Sequence, residues 1–354
     1  MPKRPEITNE AVHAVKEDNP SKITRSMLSM IDEKEQSLLF YAVRFKAIKV
    51  LTHLLKEKLD PNIINRNHET PLFHAASLGA TEEIAALYDG GAYPDMPNAS
   101  QVTPLMVAAQ KGNIETIEKL IQYDVDVNAR DNSGRNPLFH AVMSNNPKIL
   151  QLLVDAGASA DVLSHQFESL HHVCAQHADL RMFKFIKALK VSPYIRTRYY
   201  ETPLHRAAAK GKSDLVKAYL DFGLTPKEED AFGSTPRTYG KAYGEMEMLF
   251  TRYENNLEIE RTMKNQPLAR LLRLRRFDEA EVYIHKRSFL DDKDYYNNRP
   301  IFYALIYGDY RLIERLIGQG AKLDDIDCFH HDAAYYAQIF NDETIKTMLK
   351  NAPL

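Results

Sequence analysis

With 354 residues, 44% of them hydrophobic and 27% charged, the chain has the length of two or three average domains and too much apolar content for a disordered protein. Lys and Arg (46) against Asp and Glu (48) leave a formal charge of -2, which argues against a generally basic nucleic-acid binder. No apolar run approaches the roughly 18 residues of a membrane span, the start lacks a signal-peptide core, and Cys174 and Cys328 are too few for a disulfide framework, so a reducing, cytoplasmic setting is expected.

Short apolar segments at 11–15 and 23–31 predict a helical pair that caps the chain over residues 1–35. Beyond them the chain repeats itself. The phrase Glu69-Thr70-Pro71-Leu72-Phe73-His74-Ala75-Ala76 returns as Val102-Thr103-Pro104-Leu105-Met106-Val107-Ala108-Ala109. It returns again as Arg135-Asn136-Pro137-Leu138-Phe139-His140-Ala141-Val142 and as Glu201-Thr202-Pro203-Leu204-His205-Arg206-Ala207-Ala208. Weaker copies surround Leu38, Leu170, Arg237, Leu268, Ile301 and Ala334, and successive anchors lie 31 to 34 residues apart. Chance does not hold such a phase over so long a stretch.

Each copy has a physical reading. Thr-Pro opens a helix, the Thr oxygen capping it and the Pro taking the first helical position, where an N–H is not needed. Leu and the alanines bury one face. Gly79, Gly112, Gly211 and Gly308 stand where the first helix should end in a left-handed residue. A second helix follows with apolar spacing of three and four, as in Ile114, Ile117, Leu120 and Ile121. Gly91-Ala92, Gly157-Ala158 and Gly320-Ala321 close it before an extended turn.

These residues resemble the ankyrin repeat. The resemblance is most specific from Asn65 to Asp221 and weakest from Gly244 to Asp294, where Gln266-Pro267-Leu268 alone keeps the motif. It implies an all-α fold, an ankyrin-repeat solenoid of about ten helix-turn-helix units with short hairpin turns. Residues 36–243 would be ankyrin repeats, 244–298 a degenerate repeat or helical insertion, and 299–354 the C-terminal repeats and cap. Such units are stabilised by stacking on their neighbours.

No phosphate loop, nucleophile elbow, kinase set or Fic-type signature is present. No catalytic residue, cofactor or metal is therefore expected. His171, His172, Cys174 and His177 match no common zinc spacing and read as structural residues of an ankyrin helix, with Cys174 as a small buried thiol. The run Arg270, Arg273, Arg275 and Arg276 reads as a solvated helix face balanced by Asp278, Glu279 and Glu281, with binding of phosphate groups or an acidic partner as the alternative. Carboxylates at Glu245, Glu247, Glu254, Glu258 and Glu260 define no acid–base pair, so an enzyme hidden in that region is the weaker alternative.

The resemblance implies a concave partner surface of turn tips and first-helix faces. In the first half those slots are polar and mixed. In the second half they hold His165, Phe167, Arg198, Tyr199, Phe232, Tyr243, Arg273, Tyr295, Tyr296 and Tyr307, with Arg196 and Tyr200 adjacent. Aromatic and arginine side chains are what interface hot spots favour. The expected function is non-enzymatic binding of a protein partner there, with no membrane span, nucleic acid or small-molecule substrate. The Phe73-His74 and Phe139-His140 variants resemble ankyrin effectors that intracellular bacteria send into the host cytosol. A cytosolic adaptor or regulatory subunit is the alternative.

Overall fold

The computed structural model describes residues 5–260, 267–273, 277–286, 289–294, 298–327 and 330–352, with backbone alone at 255–260 and 267. Among them are 21 α-helices. The chain divides into two compact units, Met1–Ser159 and Ala160–Leu354. The first unit opens with α1 (Asn9–Lys16) and continues as helix pairs: α2 (Leu38–Arg44) with α3 (Ile48–Lys56), and α4 (Pro71–Leu78) with α5 (Thr81–Asp89). It ends with α6 (Pro104–Lys111) and α7 (Ile114–Gln122), then α8 (Pro137–Met143) and α9 (Pro147–Asp155).

The second unit holds α10 (Leu170–His177) with α11 (Leu180–Ala188), α12 (Pro203–Ala209) with α13 (Ser213–Asp221), and α14 (Pro236–Gly240) with α15 (Gly244–Glu260). It continues as α16 (Pro267–Arg273) with α17 (Phe277–Ile284), α18 (Pro300–Tyr307) with α19 (Tyr310–Gly318), and α20 (Ala333–Ile339) with α21 (Glu343–Lys350). First helices therefore start every 33 residues, apart from one step of 31 between Pro236 and Pro267. The pair at 267–284 keeps the helix-pair form, while α15 is 17 residues long where most second helices have nine.

Within each unit, first helices pack on first helices and second on second. The leucines that set the repeat phase, Leu38, Leu72, Leu105 and Leu138 in one unit and Leu170, Leu204 and Leu268 in the other, are wholly buried. Ala75, Ala76, Ala108, Ala109, Ala207 and Ala208 beside them are buried too, their small size allowing close approach of the next helix. Each buried leucine contributes roughly 1.5–3 kcal/mol of transfer free energy. The first helices start as their sequences demand: Thr70 Oγ1 accepts from the Phe73 N–H at 3.1 Å and Thr103 Oγ1 from Met106 at 3.3 Å.

Residues 20–31 depart from expectation. They form two short 3-10 turns, Pro20–Lys22 and Arg25–Ser29, and Ile31 then makes β-bridges to Glu6 and Ser37. The cap is thus one α-helix with turns, not a helical pair. Pro20 and the clustered hydroxyls of Ser21, Thr24, Ser26 and Ser29 favour turns over a continuous helix, because such hydroxyls compete with the backbone for hydrogen bonds. Asp18 anchors the cap, its Oδ1 accepting from the Val50 N–H at 2.9 Å in the first turn of α3.

Among the described residues, the turn before every first helix other than α16 is closed by one side-chain oxygen. Asp32 Oδ1 accepts from the N–H groups of Lys34 and Gln36, both at 2.8 Å. The same two bonds, to the second and fourth residues onward, recur at Asn65, Asn98, Asp131, Ser164, Thr197 and Asp230. Asp294 and Asp327 make the bond to the fourth residue, Asn298 and His331. Where the closing residue is Asp, its other oxygen accepts from the tyrosine hydroxyl nine residues on: Tyr41 donates to Asp32 at 3.1 Å, Tyr239 to Asp230 at 2.7 Å, Tyr303 to Asp294 at 2.7 Å, and Tyr336 to Asp327. His140 lies 3.1 Å from Asp131 in the same relation.

Replacing Asp131 tests this arrangement. Asp131→Ala orphans two backbone N–H groups and the His140 ring, and should cost about 2–3 kcal/mol by urea unfolding. Asp131→Asn, which keeps the backbone acceptor, should cost less than half as much. Equal losses would mean that the turn closure contributes little.

Candidate protein-interaction face

Three consecutive turns of the second unit lie side by side: 164–168, 197–201 and 230–234. Backbone bonds tie them, from the Arg198 N–H to the Gln166 carbonyl at 2.9 Å and from the Ala231 N–H to the Tyr199 carbonyl at 2.8 Å. The closing oxygens of Ser164, Thr197 and Asp230 point the middle residues of each turn away from the helices. Tyr199 and Tyr200 are each 52% exposed and Phe232 is 76% exposed. The rings of Tyr199 and Phe232 stack across neighbouring turns at 6.2 Å, and the Arg198 guanidinium lies over the Phe167 ring at 5.2 Å. His165 is exposed on the same row.

Tyr243 belongs to the other end of these repeats. Its ring covers Gly211, whose φ is +66°, and a Cβ at that glycine would stand 2.6 Å from the ring. The Tyr243 hydroxyl reaches the Ala209 carbonyl at 3.5 Å. Much of this ring is therefore packed against its own fold.

Two expected surface residues are instead interior. Arg196 is buried, 3.6 Å from the Glu228 carboxylate, and donates to the Ile306 carbonyl at 3.1 Å. Its guanidinium lies between the rings of Tyr200 and Tyr307, at 5.3 and 5.0 Å. Arg273 is only 2% exposed and pairs with Asp294 at 3.2 Å. Tyr307, half-buried, donates to the Arg273 carbonyl at 3.1 Å. The physical reason is that the segment before α12 packs on α18 and α20. Tyr194 meets Tyr303 at 6.2 Å between ring centres, and the hydroxyls of Ser192 and Tyr336 are 3.4 Å apart. Slots that an array of neighbour contacts would leave open are thereby covered. Tyr295, Tyr296, Arg275 and Arg276 lie outside the described residues, as do Cys328 and the side chains of Glu258 and Glu260.

An open cavity of about 540 Å³ remains beside this packing, between the turn at 197–201 and the helices α18, α19 and α21. Phe167, Arg198 and Tyr200 stand on one side of it, and Tyr310 and Phe340 on the other. Asp342 also lines it, but its oxygens are engaged: Oδ1 accepts from the N–H groups of Thr344 and Ile345 at 2.9 and 3.0 Å, and Oδ2 from the Tyr310 hydroxyl at 2.7 Å.

The histidine cluster is a set of internal struts. His172 Nδ1 faces Ser169 at 3.0 Å and its Nε2 the Glu201 carbonyl at 3.1 Å, so it links its own helix cap to the next turn. His205 does the same with Thr202 at 2.9 Å and the Ser234 carbonyl at 3.2 Å. His171 Nε2 meets the Val191 carbonyl at 3.1 Å. Burial pushes His171 and His205 down to about 4; burial, assisted by Arg206, takes His172 to about 3. Burial also raises the Cys174 thiol to about 12, which removes it as a nucleophile near neutrality. Of the carboxylates of α15, Glu247 and Glu254 both pair with Arg237 at 2.9 Å, and Glu245 accepts from Ser213. They serve as ties within the repeats.

The helix pairs at a 33-residue spacing, seven of the ten first helices opened by proline and those at Leu170 and Pro203 tied to the next turn by the buried His172 and His205, correspond to a family model described as three copies of ankyrin repeats over 39–131 and 82–164. A second model, described as an ankyrin repeat, matches 199–228. Over these residues the chain carries ankyrin repeats. Its likeness extends to a putative ankyrin repeat protein, L371, of Acanthamoeba polyphaga mimivirus, 30% identical over 97 residues. That match spans 27% of this chain and only 13% of the viral protein. Among solved structures, the ankyrin repeat domain of human ASB11 matches with a TM-score of 0.55 at 18% identity, covering 62% of this chain and 98% of that one. The ankyrin repeat domain of Bcl-3, of the IkappaB family, matches at 0.50 and 22% identity, covering 60% and 99%. These show the same solenoid fold. Among the described residues no helix is long and apolar enough to cross a membrane.

Two outcomes follow from the strut and packing geometry. As pH falls from about 6.5 toward 3, unfolded histidines gain protons that the buried His171 and His205 refuse until about 4 and His172 until about 3, so the histidine contribution to stability falls across that window and levels off below it. The thermal midpoint of the second unit should drop accordingly, and His205→Asn should be less stable at pH 7 but lose less on acidification; an unchanged pH profile would contradict the assignment. Gly211→Ala, strained by its positive φ and driven into Tyr243, should destabilise by about 1–2 kcal/mol. The paired Gly211→Ala/Tyr243→Ala variant should separate the collision from the backbone strain.

Proposed function

We propose that this protein is a non-enzymatic interaction module that holds a partner protein on the turn face of its second unit. One observation carries this reading: Arg198, Tyr199, Tyr200 and Phe232 form a continuous exposed row on backbone-linked turns, with rings stacked and a guanidinium seated on an aromatic face. Aromatic and arginine side chains bury much area at small conformational cost, and rows of them characterise binding hot spots. Tyr243 borders the same repeats from the helix side, and His165 extends the row. The buried Arg196 and Arg273 support the surface from beneath and do not contact the partner.

Of the carboxylates on which the enzyme alternative rests, Glu245, Glu247 and Glu254 are tied within the repeats, which supports the non-enzymatic reading. The motif style that suggested a delivered effector also has a local explanation. Phe73 and Phe139 are core residues, and His140 faces the Asp131 carboxylate. An adaptor or regulatory-subunit role fits the interaction reading equally well.

Affinity capture with the full chain, compared with an Arg198→Ala/Tyr199→Ala/Phe232→Ala variant, tests the reading. All three side chains are exposed, so the variant should unfold at the midpoint of the parent. It should lose at least about tenfold in affinity for the captured partner. Retention of every partner at parental affinity would refute this surface.

A further inference from the structure

The cavity beside α18 has its own chemistry. Its floor is apolar: Leu305, Ile306 and Ile345 are buried there, and Phe340 is half-buried. Its rim carries the exposed rings of Tyr200 and Tyr310. At about 540 Å³ it is within the size range of ligand pockets and holds two or three side chains, far less than a folded element.

The charges around it do not cancel. Arg196, in one wall, faces Glu228, and the positive end of α21 is capped by Asp342, whose second oxygen is taken by Tyr310. Arg198 at the mouth is different. It is exposed, and among the described residues no carboxylate lies within ion-pairing distance of its guanidinium. The guanidinium lies over the Phe167 ring at 5.2 Å, a contact that restrains it while the residue stays exposed. An oriented, unneutralised arginine beside an apolar pocket is complementary to a carboxylate that neighbours a bulky apolar side chain.

We propose that this cavity receives a short acidic segment of the partner protein, with an apolar side chain on the Leu305–Ile306 floor and an Asp or Glu carboxylate on Arg198. The inference rests on the interaction-module reading and adds to it a pocket and a peptide chemistry. The Tyr199–Phe232 stack lies outside the cavity, so the two surfaces are separable.

The test is selection of a random dodecapeptide phage library on the immobilised full chain, followed by fluorescence polarisation with the most enriched peptide. Enriched sequences should place Asp or Glu within two positions of Phe, Leu, Ile or Tyr. Arg198→Glu should weaken binding about tenfold or more, and Arg198→Lys by less. Tyr199→Ala and Phe232→Ala should change it less than about twofold, and raising salt from about 50 to 500 mM should weaken it. Enrichment without acidic residues, no enrichment at all, or binding untouched by Arg198→Glu would overturn the proposal. If peptide binding fails while partner capture still depends on Tyr199 and Phe232, only the pocket assignment falls. If neither depends on these residues, the interaction face falls with it.

Discussion

The Oδ1 atom of Asp32 accepts two backbone N–H groups, and the same closure recurs 33, 66 and 99 residues later at Asn65, Asn98 and Asp131. Much is joined to that small loop. Closing it holds the third turn residue in the left-handed region, from Glu35 at +63° to His330 at +66°. The fifth residue onward is the helix cap, as at Thr70, Thr103 and Thr202. Its neighbouring N–H groups reach the preceding turn, as from Arg66 to the Lys34 carbonyl at 3.1 Å. With each such bond worth about 1 kcal/mol net and whole domains stable by only 5–15 kcal/mol, the closures together account for a decisive part of the margin. An ankyrin array without them would keep its helices and lose the spacing between them.

Much of this was visible in the residues. The Thr-Pro phrases mark helix starts directly, because capping oxygen and proline are both local requirements, and Gly79, Gly112, Gly211 and Gly308 have the positive φ that their position in the phrase implies. The turn closure escaped notice because four residue types perform it, so no single letter repeats. The residue nine positions on is a partial signal: every closing Asp goes with Tyr or His and Asn98 and Ser164 go with Val107 and Val173, but Asn65 goes with His74 and Thr197 with Arg206. The 23–31 segment misled because apolar spacing alone does not weigh hydroxyls and proline against helix propagation.

Arg196 and Arg273 were misplaced for a different reason. A repeat phase describes what each unit does to its neighbour, and their burial depends on chain far away. Arg196 meets a carbonyl 110 residues on, and Ser192 a hydroxyl 144 residues on. No period encodes such contacts. The excess of arginines and tyrosines in the second half therefore had two causes, an internal polar layer and an exposed row, and composition could not divide them. Burying an arginine requires a carboxylate beside it, and Glu228 and Asp294 are where one would look for that division in another sequence.

The third turn position favours glycine, and Gly134 and Gly233 occupy it in two repeats. At Phe167 and Tyr200 the chain instead places a large ring there, with φ of +60° and +59°. A side chain in this conformation costs roughly 1 kcal/mol relative to glycine, so the rings stand where backbone ease alone would not put them. The cost has a geometric return. A left-handed residue locked by two hydrogen bonds leaves little freedom to its Cα–Cβ vector, so each ring is aimed before any encounter takes place. A partner meeting this face would freeze few torsions on docking, and mutation toward glycine would yield a sturdier protein with a blank surface.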